Sequence, residues 1–282
     1  MTLLSAPVPL AFIASVLFGL AIVAAQLGVR SVPTLPGAVV ANAAAALLFW
    51  LGVPWFWTDA GISIAPFVIF ALVGLFFPAA VTLLMLESNR RLGPSLTARL
   101  SGATPLFASL AAIVFLGEPL ALAGLIGTVV IVAGIAVLTG RRRDAQRLAF
   151  SSRAVLLPLA SALIRAIAQI LVKVGLVLWP SPYVATLIAY TVSTSVTGML
   201  VASRRQAVPR RLALAWFAAS GLMNSVGLLA LYAPFQHGKI SVVAPIAATA
   251  PLVTMAVYVF VLRAERLTLR LGIGVALSVL GV

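Results

Sequence analysis

Eight stretches of this chain carry no charged side chain and are long enough to cross a bilayer as helices. They run from Met1 to Val29, Ser31 to Thr58, Ala60 to Leu86, Leu100 to Gly117, Pro119 to Gly140, Val174 to Ser203, Leu212 to Gln236 and Ile240 to Leu262. A helix of about 20 residues crosses about 30 Å of hydrocarbon, and there backbone N–H and C=O groups must pair with one another. A transmembrane barrel would instead need strands of about ten residues with strict alternation, a pattern the sequence lacks. With 63% hydrophobic and 9% charged residues and a mean hydropathy of +1.19, the chain reads as an all-α membrane protein.

Proline, glycine and charge punctuation predict ten transmembrane helices, near residues 7–27, 36–57, 64–86, 95–116, 121–139, 154–177, 182–203, 212–236, 241–262 and 269–282. The last is short for a span, so the natural chain is expected to continue. The opening MTLLSAPVPL has no basic n-region, which predicts an uncleaved first span. An internal repeat supports the count. "ATPLFASLAAIVFLGEPLALAGLIGTVVIVAGI" (103–135) lies on "TAPLVTMAVYVFVLRAERLTLRLGIGVALSVLGV" (249–282), pairing Pro105 with Pro251, Glu118 with Glu265, Gly127 with Gly274 and Gly134 with Gly281. The same offset, 146 residues before one insertion and 147 after it, pairs Pro36 with Pro182 and Gly28 with Gly175. The expected organisation is a first five-helix repeat over 1–139, a basic linker over 140–153 and a second repeat over 154–282. An odd number of spans per repeat makes the second copy enter from the opposite side, so the repeats are expected to be inverted. Inverted repeats place a binding site near the midplane and open it to either side by rocking.

The formal net charge of +14 records topology rather than a nucleic-acid partner. Of seventeen arginines, fifteen fall in odd-numbered connections, whereas Lys173 and Lys239 are the only basic residues near even-numbered ones. By the positive-inside rule the odd connections are cytoplasmic and both termini face outward. Cysteine is absent, so the chain offers no disulfide and no thiolate site. His237 is the only histidine, and no His/Asp/Glu cluster could hold a metal. Serines in the spans have no histidine base. The chain is therefore not expected to be an enzyme, and neither metal nor cofactor is expected.

At 103–138 and 250–282 the sequence resembles the drug/metabolite transporter superfamily, specifically its EamA-type ten-helix members. The mark is a proline opening an apolar span that closes on Gly-Glu-Pro or a similar turn, followed by a glycine-containing span, and it occurs twice. Where the pattern expects Gly-Glu-Arg, the second copy has Ala264-Glu265-Arg266. The resemblance implies a cavity lined by the first, third, fourth, sixth, eighth and ninth helices, with the fifth and tenth peripheral. It also implies cytoplasmic termini, against the charge count. Small multidrug antiporters of the superfamily use an intramembrane glutamate; the first span, "AFIASVLFGLAIVAAQLG", has none, which disfavours cationic-drug exchange.

Candidate substrate-binding residues are the polar groups that this arrangement turns toward the centre: Gln26, Arg99, Arg165, Gln169, Asn224, Tyr232, Ser241 and Thr249. Arg165, Gln169 and Lys173 follow at i, i+4 and i+8, one stripe on a helix. Glu87 is the candidate for proton coupling. Glu118 and Glu265 are read as caps of the helices that follow them, and Lys173 as a side chain reaching the interface. Gly127 and Gly134, seven apart, predict close packing inside a monomer rather than a dimer. Pro78, Pro105, Pro234, Pro245 and Pro251 interrupt spans and free carbonyls. Together these predict a multi-pass inner-membrane secondary transporter. It would export a small polar metabolite, such as an amino acid or related carboxylate, by alternating access. A phosphorylated or lipid-linked substrate, and a scaffold that transports nothing, are the alternatives.

Overall fold

A computed structural model describes residues 7–29, 33–57, 63–92, 97, 100–118, 122–139, 152–204, 211–236, 238–263, 273–274, 276–277 and 280. The helices are α1 (Pro7–Val29), α2 (Thr34–Phe56), α3 (Ile64–Gly74), α4 (Val81–Leu92), α5 (Thr104–Leu116), α6 (Leu122–Thr139), α7 (Leu156–Leu178), α8 (Pro182–Ser203), α9 (Arg211–Tyr232), α10 (Ile240–Ala247) and α11 (Ala250–Ala256). Among the described residues seven continuous helical stretches are long and apolar enough to span a membrane, with Thr104–Leu116 and Gly124–Val137 as shorter apolar helices. Most of the expected tenth span and residues 140–151 of the 140–153 linker lie outside the described residues.

Two expected spans are broken where proline removes a donor. The third expected span is α3 and α4 joined by a π-helical turn, Leu75–Ala80, in which Phe77 leaves helical geometry (φ −140°, ψ 120°) ahead of Pro78. It runs on to Leu92, beyond the expected end at 86. The Pro78 carbonyl near the break accepts from Thr82 Oγ1 at 2.7 Å. The ninth expected span breaks at Ala248–Thr249 between α10 and α11, with Pro251 in the first turn of α11. Pro105 takes the matching place in the first turn of α5, a position where its missing N–H costs nothing.

Packing crosses between the two halves of the sequence. Helix α1 lies on α9, α10 and α11, while α7 lies on α3, α4 and α5; α2 packs on α9 and α8, and α3 on α8. Contacts thus occur in pairs that exchange when each element is replaced by its repeat counterpart. Two close approaches show the same relation. A Cβ on Gly221 of α9 would stand 2.0 Å from the Ala41 carbonyl oxygen of α2, and one on Gly74 of α3 would stand 2.4 Å from that of Ala189 in α8. Gly74 and Gly221 are 147 residues apart. Small residues let helix backbones touch where burial against lipid supplies no driving force, and the core is accordingly rich in alanine, with Ala11, Ala14, Ala45, Ala108, Ala112, Ala162 and Ala166 fully enclosed. Among the described elements, helix α6 packs mainly on α5 and α10.

Polar side chains stitch these contacts. Ser220 Oγ donates to the Ala21 carbonyl (2.8 Å) and Thr254 Oγ1 to that of Gly19 (3.0 Å), so α9 and α11 both grip the backbone of α1. Asn42 Nδ2 donates to Ser193 Oγ at 3.2 Å between α2 and α8. The outer surface is apolar, with Leu51, Trp55, Val114, Phe115, Val177, Met199 and Phe260 well exposed. So much exposed apolar area marks a surface covered by something other than water, and lipid fits it.

Candidate functional site

Arg165 stands about halfway along α7, in a helix whose other residues apart from Gln169 and Lys173 are apolar or small. An arginine at a span centre costs about 2.5–3.5 kcal/mol on insertion scales. The break in the third span supplies part of the offset. Because Phe77 leaves the helix, its ring lies under the guanidinium, with Arg165 Cζ 5.2 Å from the ring centroid, close enough for a cation–π attraction. Arg165 Nε is buried with no hydrogen-bond partner among the described residues. One turn on, the buried Gln169 has its Oε1 unpartnered as well. Glu87, the candidate for proton coupling, pairs with Arg91 at 2.6 Å along its own helix.

The remaining candidates fall into separate small groups. Asn224 Nδ2 donates to Tyr190 Oη at 2.7 Å. Tyr232, fully buried beside Phe235, has no partner for its hydroxyl among the described residues. Thr249, at the break between α10 and α11, bonds Ser15 of α1 across 2.9 Å. Gln26, exposed near the end of α1, accepts from Tyr258 Oη at 2.6 Å. Arg99 lies outside the described residues.

Ser241 belongs to a tie at one end of the bundle. Glu118 Oε1 accepts from Lys173 Nζ (2.8 Å) and from the Ile240 backbone N–H (2.8 Å), and Oε2 accepts from the Ser241 N–H (3.1 Å) and hydroxyl (2.6 Å). Lys173 Nζ also donates to the Gly238 carbonyl at 2.9 Å. Glu118 therefore caps α10, in the other half of the chain; residues 119–121, through which it would cap α6, lie outside the described residues. Lys173 is held by this carboxylate rather than reaching freely to an interface. Burial pushes the Glu118 carboxyl up, but the Lys173 ammonium, the Ser241 hydroxyl and the two backbone N–H groups together outweigh it and hold the group below its ordinary range.

Open space near these groups is small. A crevice of about 80 Å³ runs between Ser109, Lys239 and Ser241, and a groove of about 280 Å³ borders Lys173. No group of three or more His, Cys, Asp or Glu side chains suited to a metal occurs among the described residues.

Sequence reasoning missed Phe77, Tyr190 and Ser15 as partners. Phe77 had a signal in the adjacent Pro78, which requires a break; Tyr190 and Ser15 are ordinary polar residues in apolar helices, and only packing shows whom they meet.

Comparison places these features in a family. No curated protein matches the chain. A solved structure described only as the crystal structure of a protein superposes with a TM-score of 0.83 at 16% identity, covering 98% of this chain and 94% of that one, a likeness of fold. The model of the EamA-like transporter family matches twice, over residues 6–140 and 152–282. With both halves matched, this multi-pass helical membrane protein belongs to the EamA-like transporter family.

Proposed function

We propose that the chain is a secondary transporter of the cell's inner membrane that exports a small polar metabolite carrying a carboxylate, such as an amino acid, by alternating access. In this reading ten spans form two inverted five-helix repeats, and the exchangeable helix contacts between the halves support it. The observation that carries the substrate class is the unpartnered Arg165 Nε in the middle of a span. A buried donor without an acceptor costs about 1–3 kcal/mol, and a bound anion removes that cost. Gln169 Oε1 is an unused acceptor one turn away, so the pair offers a donor to a carboxylate and an acceptor to an ammonium. Tyr232 contributes a further free hydroxyl, and Asn224, Thr249, Gln26 and Arg99 complete the path. A non-transporting scaffold would gain nothing from these orphaned atoms.

The test is counterflow in liposomes with a panel of labelled amino acids, carboxylates and phosphorylated metabolites. An accepted substrate should carry a carboxylate, and Arg165→Lys should insert and fold yet bind it about 10–100-fold more weakly, since a point charge does not replace the planar fork. Acceptance of phosphorylated compounds alone would move the assignment to that class. Normal transport by both Arg165→Lys and Arg165→Gln would make the arginine structural and remove the basis for an anionic substrate.

A further inference from the structure

The tie around Glu118 joins the first half of the chain to two helices of the second, and the alternating-access reading has the two halves rock against each other. Glu118 sits in the turn after α5 in the first half; Lys173 is on α7 and Ile240 and Ser241 open α10, both in the second half. All four acceptances by one carboxylate hold these ends together next to a crevice between α5, α6 and α10 that Ser241 also lines, and in which the buried Ser109 Oγ has no partner among the described residues. Opening this end must break a partly buried ion pair and free a helix N-terminus.

The repeat shows what stands in the same place at the opposite end. The counterpart of Glu118 is Glu265, but that of Lys173, 147 places earlier, is Gln26, and those of Ile240 and Ser241, 146 places earlier, are Pro94 and Ser95. Gln26 has no charge. Pro94 has no N–H to donate. The opposite end cannot build the same tie even with its glutamate present, and Gln26 meets the Tyr258 hydroxyl instead. That contact is neutral and exposed, whereas Glu118 is buried, and hydrogen bonds to charged groups are the stronger kind.

We infer that Glu118, Lys173 and Ser241 form an ionic latch closing one end of the transport path, and that the other end, where Gln26 and Pro94 stand in the places of Lys173 and Ile240, lacks this latch. This rests on the alternating-access reading above. It makes the two gates unequal: the protein rests with the Glu118 end shut and the Gln26 end free to open. Lys173 thereby serves as a gate and not as a second substrate cation, although it shares a helical stripe with Arg165.

Single cysteines test this cleanly because the chain has none of its own. Ser109→Cys, in the crevice that Ser241 also lines, reports on the Glu118 end, and Ser161→Cys, in the first turns of α7, reports on the opposite end. In nanodiscs both ends are open to a water-soluble maleimide. Glu118→Gln or Lys173→Met should raise the labelling rate at 109 by about tenfold or more and lower it at 161. Ser241→Ala removes a single donor and should give the same reciprocal shift at smaller size, which covers the case in which a charge variant fails to fold. Gln26→Met should shift the two reporters by less than the latch variants do. Labelling that rises at both positions means general loosening, and labelling unchanged at both means a passive contact; either result overturns the latch. The measurement needs no ligand. A failed anion assignment at Arg165 with an intact reciprocal shift would leave the latch standing, and the reverse pattern would remove the latch alone.

Discussion

Replacing Gly221 by alanine probes the closest helix contact in the molecule's described core. The added Cβ would lie 2.0 Å from the Ala41 carbonyl oxygen, 2.6 Å from its carbonyl carbon and 2.7 Å from its Cα. Ordinary contact begins near 3.4 Å, so α9 must move from α2 by about 1.4 Å. Every obstacle is backbone, which cannot swing aside as a side chain can. Overpacking of this kind costs about 1–3 kcal/mol, and a shift of that size also forfeits a quarter or more of the dispersion well for the neighbouring atoms. The expected result is a fall of about 2–12 °C in the unfolding midpoint of the purified protein. Gly74→Ala, its repeat counterpart against Ala189, should behave alike. Gly198 in α8 is the control, because a Cβ there meets nothing within 4 Å, and alanine should be neutral or improve stability by up to about 1 kcal/mol through helix propensity. Thermal unfolding followed by circular dichroism measures all three. If Gly221→Ala is as stable as Gly198→Ala, the close approach of α2 and α9 is wrong and so is the packing argument built on it.

The Glu118 tie gives stability a pH signature. Its carboxyl is held below the ordinary value of 4.5, so the tie's contribution is complete above that value and is lost as pH falls through the folded-state one. The difference in unfolding midpoint between the natural chain and Glu118→Gln should be constant near neutrality and vanish in acid; a difference that persists in acid refutes the assignment. For orientation, a reporter inserted in 140–153 that is active only outside the cell should stay silent if the positive-inside rule governs the fifteen arginines of the odd connections; activity there favours the cytoplasmic termini that the family resemblance implies. Cysteines at Gln169 and Asn224 should react with water-soluble reagents faster than one at Val129 on the exposed face of α6; the opposite order would move the path elsewhere.

Much of the architecture was legible because lipid imposes a simple rule. Backbone groups without water must pair locally, so apolar length alone reports spans, and the duplicated proline, glutamate and glycine positions report two copies. The same logic marked Arg165, since a permanent cation in hydrocarbon is costly enough to need a reason wherever it lies. Sequence by itself thus determined helices, repetition and the one conspicuous charge. Only tertiary structure decided who meets whom. Glu118 looked like a cap for the helix three residues on, yet it caps a helix 122 residues away, because inter-half packing brings α10 beside the turn after α5. Thr249 pairs with Ser15 for the same reason, and Asn224 meets Tyr190 because α9 and α8 pack within the second half. In an apolar span a serine, tyrosine or asparagine has the same local signature whether it faces a path, a neighbour or lipid, and its partner is chosen by helix rotation and crossing. Those are set by close contacts such as Gly221 on Ala41 and Gly74 on Ala189, which follow from the shapes of two surfaces and not from the composition of either strand of sequence.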